Sequence, residues 1–116
     1  MFDQFKQLSS ILKQAGELKE KAAHLKEELE HTTLQAHSPD NTVNLTLNGK
    51  GRVLATTIDP AALAAAAHDP ASAQQLTQSI TDACNHGNEQ VQALLTEKVK
   101  EATGGMDIPG LSGMLN

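Results

Sequence analysis

The sequence contains no tryptophan, no tyrosine and only two phenylalanines among its 116 residues. Proteins use aromatic side chains as the platforms on which the bases of single-stranded nucleic acids stack, so their scarcity argues against that mode of binding. The apolar content of 39% leans on alanine and leucine, and alanine contributes much less hydrophobic free energy than larger residues do. The predicted core is therefore thin, and we expect an oligomer that buries additional surface.

A single cysteine, Cys84, excludes an internal disulfide and is typical of a protein from the reducing cytoplasm. No stretch approaches the roughly 18 consecutive apolar residues of a membrane span, and the N-terminus lacks the pattern of a signal peptide. We therefore expect a cytoplasmic protein with one domain over residues 1–105 and a C-terminal tail over residues 106–116. Within that domain we interpret Cys84 as a small core residue.

The net charge of −5 opposes nucleic-acid binding, but the charges are unevenly distributed. Residues 1–26 contain five lysines and three acids, and residues 41–58 contain two cations and no acid. From residue 59 onward there are seven acids and only two lysines. The basic segments are candidates for contact with an anionic partner, and the acidic C-terminal half is a candidate surface for a protein partner.

A β-hairpin between residues 41 and 58 is the strongest local signal in the sequence. Aliphatic residues alternate with polar ones from Val43 to Leu47, which predicts a strand with one buried face. Asn48-Gly49 predicts a tight turn with two residues at positive φ, and Gly51 suits a bulge beside it. The return strand extends to Ile58. With a further strand within residues 31–38, the pattern predicts a three-stranded antiparallel sheet.

Two long helices flank the predicted sheet. Apolar residues with heptad spacing predict a helix from residue 2 to about residue 30: Leu8, Ile11, Ala15, Leu18, Ala22, Leu25 and Leu29. This helix, about 40 Å long, is expected to project from the domain or to pack against a second chain. Asp69-Pro70 predicts the start of a second helix that ends near Thr103. We place Ile80 and Gly87 on its buried stripe, and residues 61–67 form a short helical turn before it.

Five short motifs occur in order along the chain: Leu12-Lys-Gln-Ala15, Lys26-Glu-Glu-Leu29, Val43-x-Leu-x-Leu-Asn-Gly49, Val53 to Ile58-Asp-Pro60, and Gly104-Gly-Met-x-Ile-Pro-Gly110. Through them the chain resembles the YbaB/EbfC family of bacterial nucleoid-associated proteins over nearly its whole length. The resemblance implies an α+β subunit of order α-β-β-β-α in a tweezer-like homodimer. It also implies a nucleoid location, binding of double-stranded DNA and no catalytic activity. The Gly-rich link of the family before the second strand is here Ser38-Pro39-Asp40-Asn41.

Seven cations are the candidate DNA-binding residues: Lys6, Lys13, Lys19, Lys21, Lys26, Lys50 and Arg52. On an arm of such a dimer, the lysines of the first helix would contact phosphates without reading the base sequence. The alternative for the helix is a solvated face with pairs such as Glu17–Lys21. The alternative for Lys50 and Arg52 is a charged hairpin tip that discourages aggregation.

The remaining residue types do not form a catalytic or metal-binding pattern. The five histidines lack the spacing of a metal site, Cys84 has no partner base, and Gly49-x-Gly51 is a turn rather than a phosphate-binding loop. We therefore expect no enzyme, no metal and no cofactor. The main alternative function is a protein-interaction or chaperone-like module without direct DNA contact, because helix, hairpin and helix also follow one another in prefoldin-like chaperones.

Overall fold

The computed structural model describes residues 2–102, with side chains from residue 4 onward. The elements are α1 (Phe2–His31), β1 (Thr33–His37), β2 (Val43–Asn48), β3 (Val53–Ile58), α2 (Pro60–His68) and α3 (Pro70–Ala102). Their order confirms the predicted α-β-β-β-α architecture, with the predicted short turn extended into the nine-residue α2. The predicted tail over residues 106–116 lies outside the described residues.

The three strands form an antiparallel sheet of order β1-β2-β3, so β2 is central. Its inner face carries Val43, Leu45 and Leu47, all buried, and α3 packs across this face, mainly on β1 and β2. The register pairs Val43 with Ile58 and Leu47 with Val53, and it leaves Leu54 as an extra residue on β3. This β-bulge interrupts the ladder beside the hairpin turn.

Small residues allow α3 to approach the sheet closely. Its buried positions are four residues apart: Ser79, Ala83, Gly87, Val91 and Leu95. Gly87 is buried as predicted, and a Cβ atom built on it would lie 3.1 Å from Leu47 Cδ1. The predictions for Ile80 and Cys84 were wrong, because both side chains are exposed. The buried stripe turns toward Ser79, whose hydroxyl has a polar partner in the β1–β2 turn.

The hairpin turn differs from the predicted one. Neither Asn48 nor Gly49 has a positive φ, whereas Gly51 does, at 89°. The Asn48 side-chain Oδ1 accepts hydrogen bonds from the backbone N–H groups of Lys50 and Arg52, each at 3.0 Å. The loop is therefore a three-residue connection with glycine in the left-handed position, for which Gly51 rather than Gly49 supplies the conformational freedom.

The molecule is strongly elongated because α1 and α3 extend beyond the sheet. Leu25 and Leu29 of α1 pack on Leu95 of α3, whereas every side chain from residue 4 to residue 21 is exposed. The radius of gyration is 21.0 Å, against about 13 Å for a compact chain of this length. We call residues 4–21 the distal half of α1. None of the helices described here is apolar enough over 18 residues to cross a membrane.

Candidate nucleic-acid interface

The five lysines of α1 are all exposed, as are Lys50 and Arg52 of the hairpin. Within residues 4–102, none of these seven cations has an ion pair within 4.0 Å, and the Glu17–Lys21 pair is not formed at that distance. When such an unpaired cation binds a phosphate, no ion pair within the protein has to be broken first. The cations are therefore available for contact with an anionic partner.

The helix geometry divides the α1 lysines into three groups. Lys19 and Lys26 share one flank of the apolar stripe, and Lys21 lies on the other flank. Lys6 and Lys13 share a third heptad position, on the side of the helix opposite the stripe. The charges therefore surround the arm rather than forming one row, so an anion on a single side contacts only some of them.

The space between α1 and α3 is acidic. A cleft of about 580 Å³ lies between the two helices near the end of α3. Its charged lining comprises four carboxylates and two lysines: Glu17, Glu20, Glu28, Glu101, Lys21 and Lys98. Lys98 forms ion pairs with two of these glutamates: its Nζ lies 3.6 Å from a carboxylate oxygen of Glu28 and 3.6 Å from one of Glu101. A phosphate backbone is therefore better accommodated on the outer surface of α1 than in this cleft.

A close backbone contact fixes the hairpin to the end of α1. The Gly49 N–H group donates to the carbonyl oxygen of Leu29 at 2.7 Å and approaches that of Thr32 at 3.0 Å. A Cβ atom on Gly49 would lie 2.6 Å from the Leu29 oxygen, so only glycine fits at this position. The contact satisfies a carbonyl in the last turn of α1. It also places Lys50, the next residue, beside the end of α1 that meets the sheet.

One polar cluster has no recognisable pattern in the sequence. Asp40 accepts hydrogen bonds from the hydroxyls of Ser38 (2.6 Å), Thr42 (2.8 Å) and Ser79 (2.8 Å). We call these four residues the Asp40 cluster. The Ser38 hydroxyl in particular, followed by those of Thr42 and Ser79, holds the pKa of Asp40 well below its usual range. The cluster ties the β1–β2 turn to α3 at the end of the sheet far from the hairpin.

Two histidines that are far apart in sequence meet between β1 and α3. The backbone N–H of His37 donates to His86 Nδ1 at 3.1 Å, and the ring centroids lie 5.0 Å apart in an edge-to-face arrangement. The pair fixes the side of α3 that faces β1. Over the chain segment that the structure describes, no group of three or more His, Cys, Asp or Glu side chains could hold a metal ion.

Comparison with known proteins gives consistent results. The model of the YbaB/EbfC DNA-binding family matches residues 4–106. A nucleoid-associated protein of Gluconacetobacter diazotrophicus is 32% identical over 104 residues, which cover 90% of this chain and 92% of that protein. Another, from Anaeromyxobacter sp. strain Fw109-5, is 35% identical over 103 residues, which cover 89% of this chain and 95% of that protein.

One solved structure supports the fold independently. The crystal structure of an uncharacterized protein from Helicobacter pylori matches with a TM-score of 0.58 at 19% sequence identity. The match covers 72% of this chain and 90% of that chain. At this level of identity, the likeness concerns the arrangement of helices and strands.

Proposed function

Because the chain belongs to the YbaB/EbfC DNA-binding family, we propose that it binds double-stranded DNA as a tweezer-like homodimer at the nucleoid. Its lysines contact the phosphates, so that the binding depends little on base sequence. The relatives named nucleoid-associated proteins and the exposed cations of α1 support this proposal. We assign the contacts to the seven candidate cations, with the α1 lysines as the main set and Lys50 and Arg52 at the base of the arm.

The observation that carries the proposal is the distal half of α1. It projects from the sheet as a solvated helix that carries Lys6, Lys13, Lys19 and Lys21 without an ion pair within residues 4–102. A helix that projects in this way can contact a duplex without any rearrangement of the sheet or of α3. Two such arms in a homodimer would double the number of cations that one duplex meets, and phosphate affinity increases with that number.

The acidic remainder of the molecule limits the affinity. The formal charge is −5 per chain, and the α1–α3 cleft presents four carboxylates. Long-range repulsion therefore opposes the local attraction at α1. We expect weak binding that decreases steeply with salt, because each neutralised phosphate contributes about 0.9 to the slope of log affinity against log salt concentration.

The test is a titration of a fluorescent DNA duplex with the purified protein at low and near-physiological salt. The variant Lys13/Lys19/Lys26→Gln removes three exposed cations from α1. We expect its affinity to decrease at least about tenfold and its salt slope to decrease by about 0.9 for each phosphate that is no longer neutralised. Fluorescence anisotropy measures both quantities.

The control variant Gln74/Gln75/Gln92→Glu makes the same change in net charge at exposed positions of α3. Its affinity should stay much closer to that of the unmodified protein, because the altered charges lie away from the arm. An equal loss in both variants would contradict the assignment to α1. If the unmodified protein bound the duplex equally tightly at low and at near-physiological salt, that result would contradict the electrostatic mechanism itself.

A protein-interaction or chaperone-like module remains the second candidate, and the apolar side of the distal half favours it. Phe5, Ile11 and Leu12 are 78%, 61% and 65% exposed, which is unusual for large apolar side chains gathered on one helix. If the unmodified protein does not bind the duplex even at low salt, this function replaces DNA binding. The exposed side chains of α1 would then be the contact surface for a protein partner.

A further inference from the structure

Helix α3 covers the apolar stripe of α1 over only part of its length. Near the sheet, Leu25 and Leu29 are buried against Leu95 of α3. In the distal half the same stripe is exposed, and we call its four residues there the open stripe: Leu8, Ile11, Ala15 and Leu18. The three larger side chains are each more than half exposed. A row of exposed apolar side chains is typical of a surface that binds another protein segment.

The cover of the stripe ends where α3 ends. Lys98 of α3 pairs with Glu28 of α1. Ala102, at the end of α3, lines the α1–α3 cleft, which extends along α1 as far as Glu17. Later residues of α3 thus lie beside earlier residues of α1, so the two helices are antiparallel. The chain therefore leaves α3 near Leu18, at one end of the open stripe, and α3 points there toward the N-terminus of α1.

The sequence that follows α3 is suited to cover an apolar surface. Five of the eleven residues in the C-terminal tail, residues 106–116, have large apolar side chains: Met106, Ile108, Leu111, Met114 and Leu115. The tail contains one charged side chain, Asp107. Pro109 and the preceding Gly104-Gly105 disfavour a continuation of α3. The tail is therefore expected to follow a different path from that of a straight helix.

The chain beyond α3 is long enough to follow the whole open stripe. Leu18 and Leu8 are ten residues apart within α1, which corresponds to about 15 Å along the helix. An extended chain spans about 3.3 Å per residue, so residues 103–116 can reach up to about 46 Å. The tail can thus pass Leu8 even when Gly104-Gly105 forms a turn.

The rim of the open stripe is free of acidic residues. The flanking heptad positions of the distal half hold apolar, amide and basic side chains: Phe5, Gln7, Leu12, Gln14, Lys19 and Lys21. A tail that runs from Leu18 toward Leu8 would bring Asp107, near its start, close to the two lysines. The single charge of the tail is therefore complementary to the charges beside the stripe.

We propose that the C-terminal tail lies along the open stripe of its own chain and continues the cover that α3 provides near the sheet. The tail then supports the distal half as a helix, because a solvated helix of this length is marginal by itself. Lys6 and Lys13 lie on the opposite side of α1 and stay accessible. The inference concerns contacts within one chain, so it does not depend on DNA binding.

Hydrogen exchange of the full chain tests the contact. The variant Leu111/Met114/Leu115→Ser removes three apolar side chains from the tail without a change in charge. We expect the backbone amides of residues 8–18 to exchange at least about tenfold faster in this variant, because the helix opens more often without its cover. The amides of β2 should keep their rates. Equal rates in the variant and the unmodified protein over residues 8–18 would overturn the inference.

Two matched variants of α1 test the other side of the contact. Ile11→Glu places a charge on the open stripe, whereas Ser10→Glu places the same charge on an exposed residue away from the stripe. Only Ile11→Glu should accelerate exchange over residues 8–18. Its combination with the tail variant should add no further acceleration, because both changes remove one contact. Fully additive effects would show that tail and stripe act independently, and would overturn the inference.

A spin label at the end of the tail tests the path and the chain that supplies it. In a Cys84→Ser background, a label on Asn116→Cys should broaden the amide signals near Leu8 more than those near Leu18. Addition of Ile11→Glu should abolish this difference. Equal broadening at both ends of the stripe, or none, would contradict the proposed path. If spin-labelled chains broaden the signals of unlabelled, isotope-enriched chains in a mixture, the tail belongs to a second copy and the inference fails.

Discussion

At the scale of single residues, polar side chains fix the ends of the sheet. Asn48 holds the hairpin turn through the backbone N–H groups of Lys50 and Arg52. At the opposite end, Asp40 connects Ser38 and Thr42 with Ser79 of α3. Ser38 and Ser79 are buried, and a buried hydroxyl without a partner is costly. The Asp40 carboxylate therefore makes it possible for these two serines to occupy the core.

Replacing Asp40 by asparagine should make the stability of the protein less dependent on pH. Hydrogen bonds lower the pKa of Asp40 in the folded state, so the carboxylate stabilises the fold fully above its unfolded pKa of about 4. This contribution is lost as the pH falls from there through the folded pKa. We expect Asp40→Asn to have a lower midpoint of thermal unfolding at pH 7, and the difference from the unmodified protein to shrink below pH 4.

Thermal unfolding followed by circular dichroism between pH 2.5 and pH 8 measures this difference. Glu89→Gln is the control, because Glu89 is an exposed carboxylate of α3 that accepts no hydrogen bond from another described side chain. Its midpoint should follow that of the unmodified protein over the whole range. A constant difference for Asp40→Asn down to pH 2.5 would contradict the role assigned to the charge.

At the scale of elements, the arm is joined to the sheet over a short length. The contacts are the cluster of Leu25, Leu29 and Leu95 and the bond from Gly49 to the Leu29 carbonyl. The distal half has no comparable contact within the described chain, so its helical structure depends on local propensity. The position of the α1 lysines relative to the sheet is therefore set at Leu29 and Gly49.

Gly49→Ala should destabilise the protein at this junction. The added Cβ atom would lie 2.6 Å from the Leu29 oxygen, and relief of such overlap costs about 1–3 kcal/mol. Gly16→Ala is the matched control, since nothing lies within 4 Å of a Cβ atom there. Within a helix, that change should stabilise by up to about 1 kcal/mol. Urea unfolding measures both free energies, and equal stability of Gly49→Ala and the unmodified protein would refute the contact.

At the scale of the whole molecule, the shape is elongated, with principal extents of 79 × 23 × 18 Å. Electrostatic interactions decay over a screening length of about 10 Å at 0.1 M salt, so acids remote from α1 have little effect on an anion at its outer surface. The four carboxylates of the α1–α3 cleft lie beside α1, and their repulsion is the reason why we expect the DNA affinity to be weak.

Removal of acidic charge from α3 should strengthen DNA binding only at low salt. Glu89/Glu97→Gln neutralises two exposed carboxylates of that helix. We expect a severalfold gain in affinity at 20 mM salt, where repulsion extends about 20 Å, and no gain at 0.3 M. Anisotropy titrations with one duplex at both salt concentrations give the comparison. A gain that persists at 0.3 M would indicate direct contact between α3 and the DNA.

The sequence by itself determined the features that depend on local interactions. Heptad spacing indicated the extent of α1, and Asp69-Pro70 marked the start of α3. Alternation of apolar and polar residues located β2. These patterns arise from backbone geometry within a few residues, so they can be read without knowledge of the fold. The seven candidate cations were also identifiable, because lysine and arginine are recognised by type.

Only the tertiary structure decided how these parts meet. Asp40 and Ser79 are 39 residues apart, and His37 and His86 are 49 residues apart, so their contacts leave no local pattern. Ser79, which donates to Asp40, lies on the buried stripe of α3, whereas Ile80 and Cys84 lie beside that stripe and are exposed. In the hairpin turn, Gly49 packs against Leu29 and the positive φ is found at Gly51. Burial and hydrogen bonding between distant segments outweigh local preference at each of these positions, because a buried polar group must find its partner wherever the fold provides one.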